Sequence, residues 1–246
     1  MALLIKNLNS LAYASVKNRN ALAVASIKNI NGLDATSAAN WWEAGGATGC
    51  VLAYQPKGAA SYAASIVNLA NPGTYDAADP YANPPSWNTS TGWGFTGSLG
   101  TNVLSTGYTP SNGNVTMICQ YTGANSPAFS IFAGSLVTGS YFYFGAFSTN
   151  DGFSNGPVAD GAIVSVPRPS GNFCIAGLDG YADGSSVGTD TGPVAGTLYP
   201  IYIGDADFIN SPAGRPASFT AVAFAMYSGV LNASEVAAVA AAMAAL

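Results

Sequence analysis

The chain has 246 residues, 49% of them hydrophobic and only 8% charged, with a net charge of −5 and no histidine. That length suits one large β domain plus an arm, or two smaller domains, and either can bury a sizeable core. The missing histidine excludes Ser-His-Asp and Cys-His nucleophilic arrangements, and with three widely spaced cysteines it leaves no ligand set for zinc or copper.

The first 33 residues repeat every eleven: Ile5-Lys-Asn-Leu-Asn-Ser-Leu11, Val16-Lys-Asn-Arg-Asn-Ala-Leu22 and Ile27-Lys-Asn-Ile-Asn-Gly-Leu33. So short a unit has no core of its own. Ile5, Leu11, Val16, Leu22, Ile27 and Leu33 must be buried against neighbouring copies, the following domain or another chain. Larger and smaller side chains alternate between copies, and Asn-x-Asn followed by a small residue supplies turn chemistry, which reads as strand, turn, strand. An eleven-residue period also suits a right-handed helical supercoil, but paired asparagines in every unit argue against it.

Lys6, Lys17, Arg19 and Lys28 all precede the first acid, Asp34, and the rest of the chain sets three cations against twelve acids. The arm is therefore basic and the body acidic. Repeated lysines of this kind either meet an acidic patch on a neighbouring subunit or keep exposed strand edges soluble. They lack the aromatic interleaving of a nucleic-acid surface, so no nucleic-acid partner is expected. No apolar run reaches the roughly 18 residues needed to span a bilayer, and the start lacks the basic region of a signal peptide. A soluble chain without a cleaved leader or a membrane partner is expected.

A Trp-Trp-Glu-Ala-Gly-Gly stretch from Trp41 closes the arm, so residues 1–47 read as arm and 48–246 as one domain. From Cys50 the texture changes to short apolar runs separated by turn formers. The candidate strands are 50–54, 61–69, 92–95, 115–121, 129–137, 141–147, 162–166, 173–178, 198–203 and 218–227. Residues 71–87 are too rich in proline and turn formers for a strand and read as a surface loop. Tyr141-Phe-Tyr-Phe144 would put its tyrosines on one sheet face and its phenylalanines on the other. Cys50, Cys119 and Cys174 sit beside apolar residues and read as free thiols acting as small hydrophobes. After Leu231, Asn232 or Ser234 caps a short terminal helix, with Glu235 in its first turn. Many strands at regular intervals give an all-β, antiparallel jelly-roll sandwich with an N-terminal repeat arm and a short C-terminal helix.

Ala53-Tyr-Gln-Pro-Lys-Gly-Ala-Ala-Ser61, Asn68-Leu-Ala-Asn-Pro-Gly-Thr74, Ser86-Trp87, Thr91-Gly-Trp-Gly-Phe95 and Phe224-Ala-Met-Tyr-Ser-Gly-Val-Leu-Asn-Ala-Ser-Glu-Val236 resemble the opening and close of laminin-G-like, concanavalin A-like jelly rolls of phage and environmental bacterial proteins. The resemblance covers residues 48 to 246. The arm resembles short Ala-Ser-[Val/Ile]-Lys repeats that precede such domains in phage structural proteins. Together they imply a virion component; the fold by itself implies neither sugar binding nor catalysis.

Candidate chemistry is sparse. Glucanase-type catalysis needs two close carboxylates, and the two glutamates, Glu43 and Glu235, fall outside the predicted sheets. Asp205 and Asp207 would face the same way on an extended segment but sit where a strand ends. Lys57 lies in a Pro-Lys-Gly turn with no nucleophile beside it in sequence and reads as a solvated side chain. No cofactor is expected, except that calcium needs only oxygen ligands. Asp179, Asp183, Gly184 and Asp190 match part of a calcium-loop spacing, although Tyr181 occupies a ligand position. An Asp183-Gly184 hairpin accounts for the same residues. The resemblance to jelly rolls that hold calcium at the sandwich rim adds Asp76, Asp79, Asp205 and Asp207 as further candidates.

The expectation is a non-enzymatic virion structural protein, a surface-exposed capsid decoration or fibre component. Its arm residues Ile5, Lys6, Leu11, Val16, Lys17, Leu22, Ile27, Lys28 and Leu33 would dock onto copies of itself and onto a capsid or fibre protein. The alternative is an extracellular adhesion module that binds a surface glycan through Trp87, Trp93 and Tyr181.

Overall fold

The computed structural model describes residues 40–97, 102–124, 130–137, 140–147, 150–156, 163–164, 169–196, 198–205 and 217–246, and six two-residue strands before them. The chain divides into two compact units, Met1–Trp41 and Trp42–Leu246.

In the first unit β1 (Asn7–Leu8) pairs antiparallel with β2 (Leu11–Ala12), β3 (Asn18–Arg19) with β4 (Leu22–Ala23), and β5 (Asn29–Ile30) with β6 (Leu33–Asp34). The same ladder, Leu8↔Leu11, Arg19↔Leu22 and Ile30↔Leu33, recurs at the eleven-residue interval of the sequence. Each repeat thus contains an antiparallel pair of two-residue strands. Ile5, Lys6, Val16, Lys17, Ile27 and Lys28 lie outside the described residues, and Leu11, Leu22 and Leu33 are described as backbone.

The second unit is an antiparallel β-sandwich. One sheet contains β10 (Leu104–Ser105), β12 (Ser130–Val137), β13 (Ser140–Phe147), β14 (Asn150–Gly156), β15 (Ile163–Val164) and β19 (Tyr202–Ile203), in the order β10-β19-β12-β13-β14-β15. The other contains β7 (Cys50–Tyr54), β8 (Ser86–Asn88), β9 (Gly92–Thr96), β11 (Thr116–Thr122), β16 (Gly171–Ala176), β17 (Asp179–Ala182), β18 (Ser185–Thr189) and β20 (Ser218–Tyr227). Its order is β18-β17-β16-β11-β20-β9-β8. One flank of β20 is shared, with β9 along Ser218–Ala221 and β7 along Phe224–Tyr227.

Alternation assigns the faces. In β11, Met117, Cys119 and Tyr121 enter the inter-sheet core, while on the other face Thr116 donates from Oγ1 to the Gly229 carbonyl at 3.0 Å. In β16, Phe173 faces inward, and Asn172 on the opposite face donates from Nδ2 to the Ala240 carbonyl at 3.1 Å. That bond fixes α2 (Ala233–Ala244) on the outer face, where it buries Val236, Val239, Ala240 and Met243. Asn232 caps the helix with a reciprocal Glu235 contact, the start expected from sequence.

Between the sheets runs a chain of rings. Phe95 stacks on Phe219 at 4.7 Å, Phe219 meets Phe132 at 4.7 Å, and Phe132 meets Tyr121 at 4.6 Å and Phe144 at 6.4 Å. Phe144 continues to Phe173 at 5.7 Å and Phe173 to Phe153 at 6.3 Å. Contacts of this kind add ~0.5–1.5 kcal/mol each beyond area burial.

Three expectations change. Residues 61–69 are not a strand: Ser61 caps α1 (Tyr62–Ser65), its Oγ accepting the Ala64 N–H at 3.1 Å. The 198–203 segment is extended only at β19. β14, with its Asn-Asp-Gly-Phe-Ser-Asn-Gly sequence, has no apolar alternation and forms by pairing along the whole of β13. Of the tyrosines in the 141–144 run, Tyr143 is buried with Ile131 in a separate cluster on the outer face, while Phe142 and Phe144 enter the core as expected. Among the described residues no helix is long and apolar enough to cross a membrane.

The tight point in this packing is Gly180, where a Cβ would lie 2.0 Å from the Phe153 ring. Gly180→Ala is expected to destabilise the fold by ~1–3 kcal/mol through overpacking. Adding Phe153→Leu should recover part of that loss, as read by the two denaturant midpoints; additive effects would contradict the contact.

Candidate functional site

The loop between α1 and β8 lies along the free edge of the six-stranded sheet. Ala78 bridges antiparallel to Ser105 in β10, and Ser105 pairs with Tyr202 in β19. Just beyond β10 the Ile201 N–H donates to the Tyr108 carbonyl at 2.9 Å. These bonds gather tyrosines from three segments. Tyr75 and Tyr108 meet edge to face at 5.3 Å. Tyr199, two residues before Ile201, is 39% exposed, Tyr75 43% and Tyr81 36%. They are among the few large hydrophobic side chains this exposed in the described residues.

The core holds the loop in place. Tyr54 in β7 is fully buried against Trp93 and Phe224, and its hydroxyl donates to the Tyr75 carbonyl. Tyr75 has φ +59°, a left-handed conformation that a bulky residue adopts only when its surroundings impose it. Behind it sits Asn68, wholly buried and fully satisfied. Its Oδ1 accepts the Ala53 N–H at 2.9 Å and the Ala70 N–H at 3.2 Å, and its Nδ2 donates to the Val51 and Thr74 carbonyls at 2.9 and 2.8 Å. Asp76 Oδ1 accepts the Asn68 N–H at 2.8 Å and the Gly73 N–H at 3.2 Å. The Asn68-to-Thr74 motif of the sequence is thus a hydrogen-bonded clip between β7 and the loop.

Asp79 lies beside two of the loop-side tyrosines. Asp79 Oδ1 accepts the Tyr81 N–H at 2.9 Å. Burial, with the charge of Asp79 adding to it, pushes the Tyr62 phenol up to about 12. Burial and then Tyr202 and Asp205 raise Tyr81, and burial and then Tyr75 raise Tyr108. These phenols stay protonated through neutral pH. The surface therefore offers flat aromatic faces, hydroxyls and carboxylate acceptors, the groups that stack on sugar rings and bond their hydroxyls.

The residues singled out from sequence go elsewhere. Trp93 is 0% exposed, its Nε1 donating to Ser65 Oγ at 2.8 Å, and Tyr181 is 6% exposed. Neither presents a face to a ligand. Trp87 is half-buried and donates from Nε1 to the Pro56 carbonyl at 2.9 Å. Five strand spacings separate β17 from β8, about 24 Å, so Tyr181 and Trp87 do not share a site. Tyr75, Tyr81 and Tyr108 carried one signal in the sequence: they stand in loops of Pro, Asn, Asp and Gly, where no sheet alternation demands an aromatic, whereas Tyr199 fell within the expected 198–203 strand.

The calcium candidates also separate. Asp179 Oδ1 accepts the Thr189 hydroxyl at 2.6 Å and Asp183 Oδ1 the Asn172 N–H at 2.8 Å, at opposite ends of β17, about 13 Å apart. Asp183, at φ +48°, and Gly184 form the hairpin turn. Asp190 Oδ2 accepts the Asn155 N–H at 2.8 Å. Asp205 is buried at the end of β19, and Asp207 lies outside the described residues. Among the described residues no three acidic, cysteine or histidine side chains converge on a point.

A pocket of about 440 Å³ lies apart from the tyrosines, lined by Trp42, Glu43, Thr48, Cys50 and Ala70. The three cysteines are free. Burial, reinforced by Glu43, pushes Cys50 up to about 12, and burial alone raises Cys119 and Cys174 further. Alkylation of Cys50 by iodoacetamide should be slow at neutral pH and accelerate about tenfold per pH unit toward 12. Cys119 and Cys174 should react only on unfolding, as peptide mass mapping would read; fast labelling of folded protein at pH 7 would contradict the burial.

No protein-family model matches the chain, and no curated protein matches it. Solved structures do resemble it. The binding domain of botulinum neurotoxin DC, in complex with rat synaptotagmin II, aligns with a TM-score of 0.54 and 11% identity over 79% of this chain and 52% of that one. A structure concerning botulinum neurotoxin type C, whose cell entry depends upon interaction with two ganglioside molecules, gives 0.54 and 11% over 79% and 51%. A mutant of Trypanosoma rangeli sialidase displaying trans-sialidase activity gives 0.52 and 16% over 77% and 32%. The chain thus spans half of the toxin domains and a third of the sialidase. At these identities the likeness is one of fold, and it bears out the sandwich. It also corrects the expectation of a chain without enzymatic activity. The sandwich occurs within a sialidase, so the fold gives no ground for that exclusion.

Proposed function

We propose that the Trp42–Leu246 unit is a glycan-binding module whose site is the tyrosine surface of Tyr75, Tyr81, Tyr108 and Tyr199. The observation that carries this reading is the edge-to-face pair Tyr75–Tyr108, held outward at the sheet edge by a loop anchored to the core through Tyr54 and Asn68. A loop whose backbone is fixed by such hydrogen bonds has less entropy left to lose on binding. The ganglioside-dependent toxin that shares the fold supports the same reading. Tyr75→Ala and Tyr108→Ala are each expected to weaken binding on a glycan array about 5- to 30-fold, the equivalent of ~1–2 kcal/mol of lost stacking. The unfolding midpoint should move little, because Tyr75 is 43% exposed. Undiminished glycan binding in both variants would sink the assignment.

A second reading concerns the arm. Two-stranded ladders of two residues per strand are too small to be stable alone, yet three recur at the repeat interval. This supports a role in multi-copy assembly, in which the arm docks on other copies and on a capsid or fibre protein at a virion surface. Removing residues 1–41 should lower the oligomer size in light scattering. An unchanged size distribution would leave the arm without this role.

A further inference from the structure

Resting on the glycan reading, we infer that two buried hydroxyls, those of Thr106 and Ser135, are positioning groups of the tyrosine surface. Both residues are 0% exposed, so neither touches a ligand. Thr106 directly follows β10. Its Oγ1 accepts the Tyr108 N–H at 3.2 Å and donates to the Ile201 carbonyl at 2.9 Å. Ser135, in β12, accepts the Tyr199 N–H on its Oγ at 2.8 Å. Each hydroxyl thus reaches from the interior to the backbone of one surface tyrosine.

The two holds are joined. Ile201 stands two residues after Tyr199; its carbonyl also accepts the Thr106 N–H at 3.0 Å, and its own N–H donates to the Tyr108 carbonyl at 2.9 Å. Thr106 therefore ties the Tyr108 segment to the one that carries Tyr199. Tyr54 does the same for Tyr75 from the other sheet. A hydroxyl suits this role because it can accept a backbone N–H and donate its own proton. A methyl in its place fills the space and leaves the N–H without that acceptor. A tyrosine released in this way spends part of its time out of place, and the apparent affinity of the surface falls by that fraction. The rings contact the sugar, and the buried hydroxyls set where the rings stand.

The test uses the full chain on an array of lactose, N-acetyllactosamine, sialyllactose and cellotetraose, at a temperature well below the unfolding midpoint of every variant. Thr106→Val and Ser135→Ala are each expected to weaken binding about 3- to 10-fold, the equivalent of one lost hydrogen bond. Thr106→Ser keeps the hydroxyl and should bind within about twofold of the unchanged chain. Because each hydroxyl acts through one tyrosine, Thr106→Val should add nothing to the loss in Tyr108→Ala, and Ser135→Ala nothing to the loss in Tyr199→Ala. A merely structural role would lower the unfolding midpoint without that coupling. Unchanged binding in Thr106→Val or Ser135→Ala, additive losses, or failure of serine to rescue overturns the positioning role and leaves the glycan reading standing. Binding that survives both Tyr75→Ala and Tyr108→Ala unchanged overturns both, as does an array on which no member binds.

Discussion

The structure depends on the aromatic packing between its two sheets. With 8% charged residues the chain has little ionic material to work with, and its stability must come from apolar burial and from hydrogen bonds that satisfy buried polar groups. Seven rings, four from one sheet and three from the other, make a continuous path from Phe95 to Phe153. The glycines follow from it. Gly180 is open because Phe153 needs the space, and Gly204, at φ +94°, lies against the Phe95 ring.

From that core outward, one residue links packing to the surface. Tyr54 is a core residue by its ring and a loop residue by its hydroxyl, and its bond to the Tyr75 carbonyl holds a loop that has few apolar contacts of its own. Asn68 does the same with an amide. Both are buried polar groups with every partner in place, the condition under which such groups rigidify a structure. The order runs from ring packing, to a fixed Tyr54, to a left-handed backbone at Tyr75, to the aromatic surface that Tyr75 carries.

Much of the fold was legible in the sequence because strands 50–54, 92–95, 115–121, 141–147 and 218–227 carry apolar alternation, and the terminal helix carries its cap. What was missed lacked a local signal. β14 is made by its neighbour, and α1 depends on one serine cap. The burial of Trp93 and Tyr181 was not legible for a related reason. Trp87, Trp93 and Tyr181 drew attention as large aromatics near turns, but size near a turn does not distinguish a ring that closes a sheet from one that faces solvent. Trp93 pairs in register with Trp87 and sits on the inward side of β9. Tyr75 and Tyr108 are 33 residues apart, and pairing between their segments, as at Ala78 and Ser105, brings them into contact.

The arm and the tyrosine surface become one design when their energies are considered together. A pair of tyrosines with a few acceptors gives a small contact area, and single sites of that kind bind weakly because ordering costs offset most of the gain. Linking several sites changes the arithmetic. The second contact is then intramolecular, and avidity exceeds the single-site affinity by ~10²–10⁴ when geometry lets both engage. An arm that docks on other copies, as proposed, supplies such linkage without any change at the binding surface. Under the proposed reading, the basic arm and acidic body divide the work: the arm sets the number of copies, and the body sets which sugars each copy accepts.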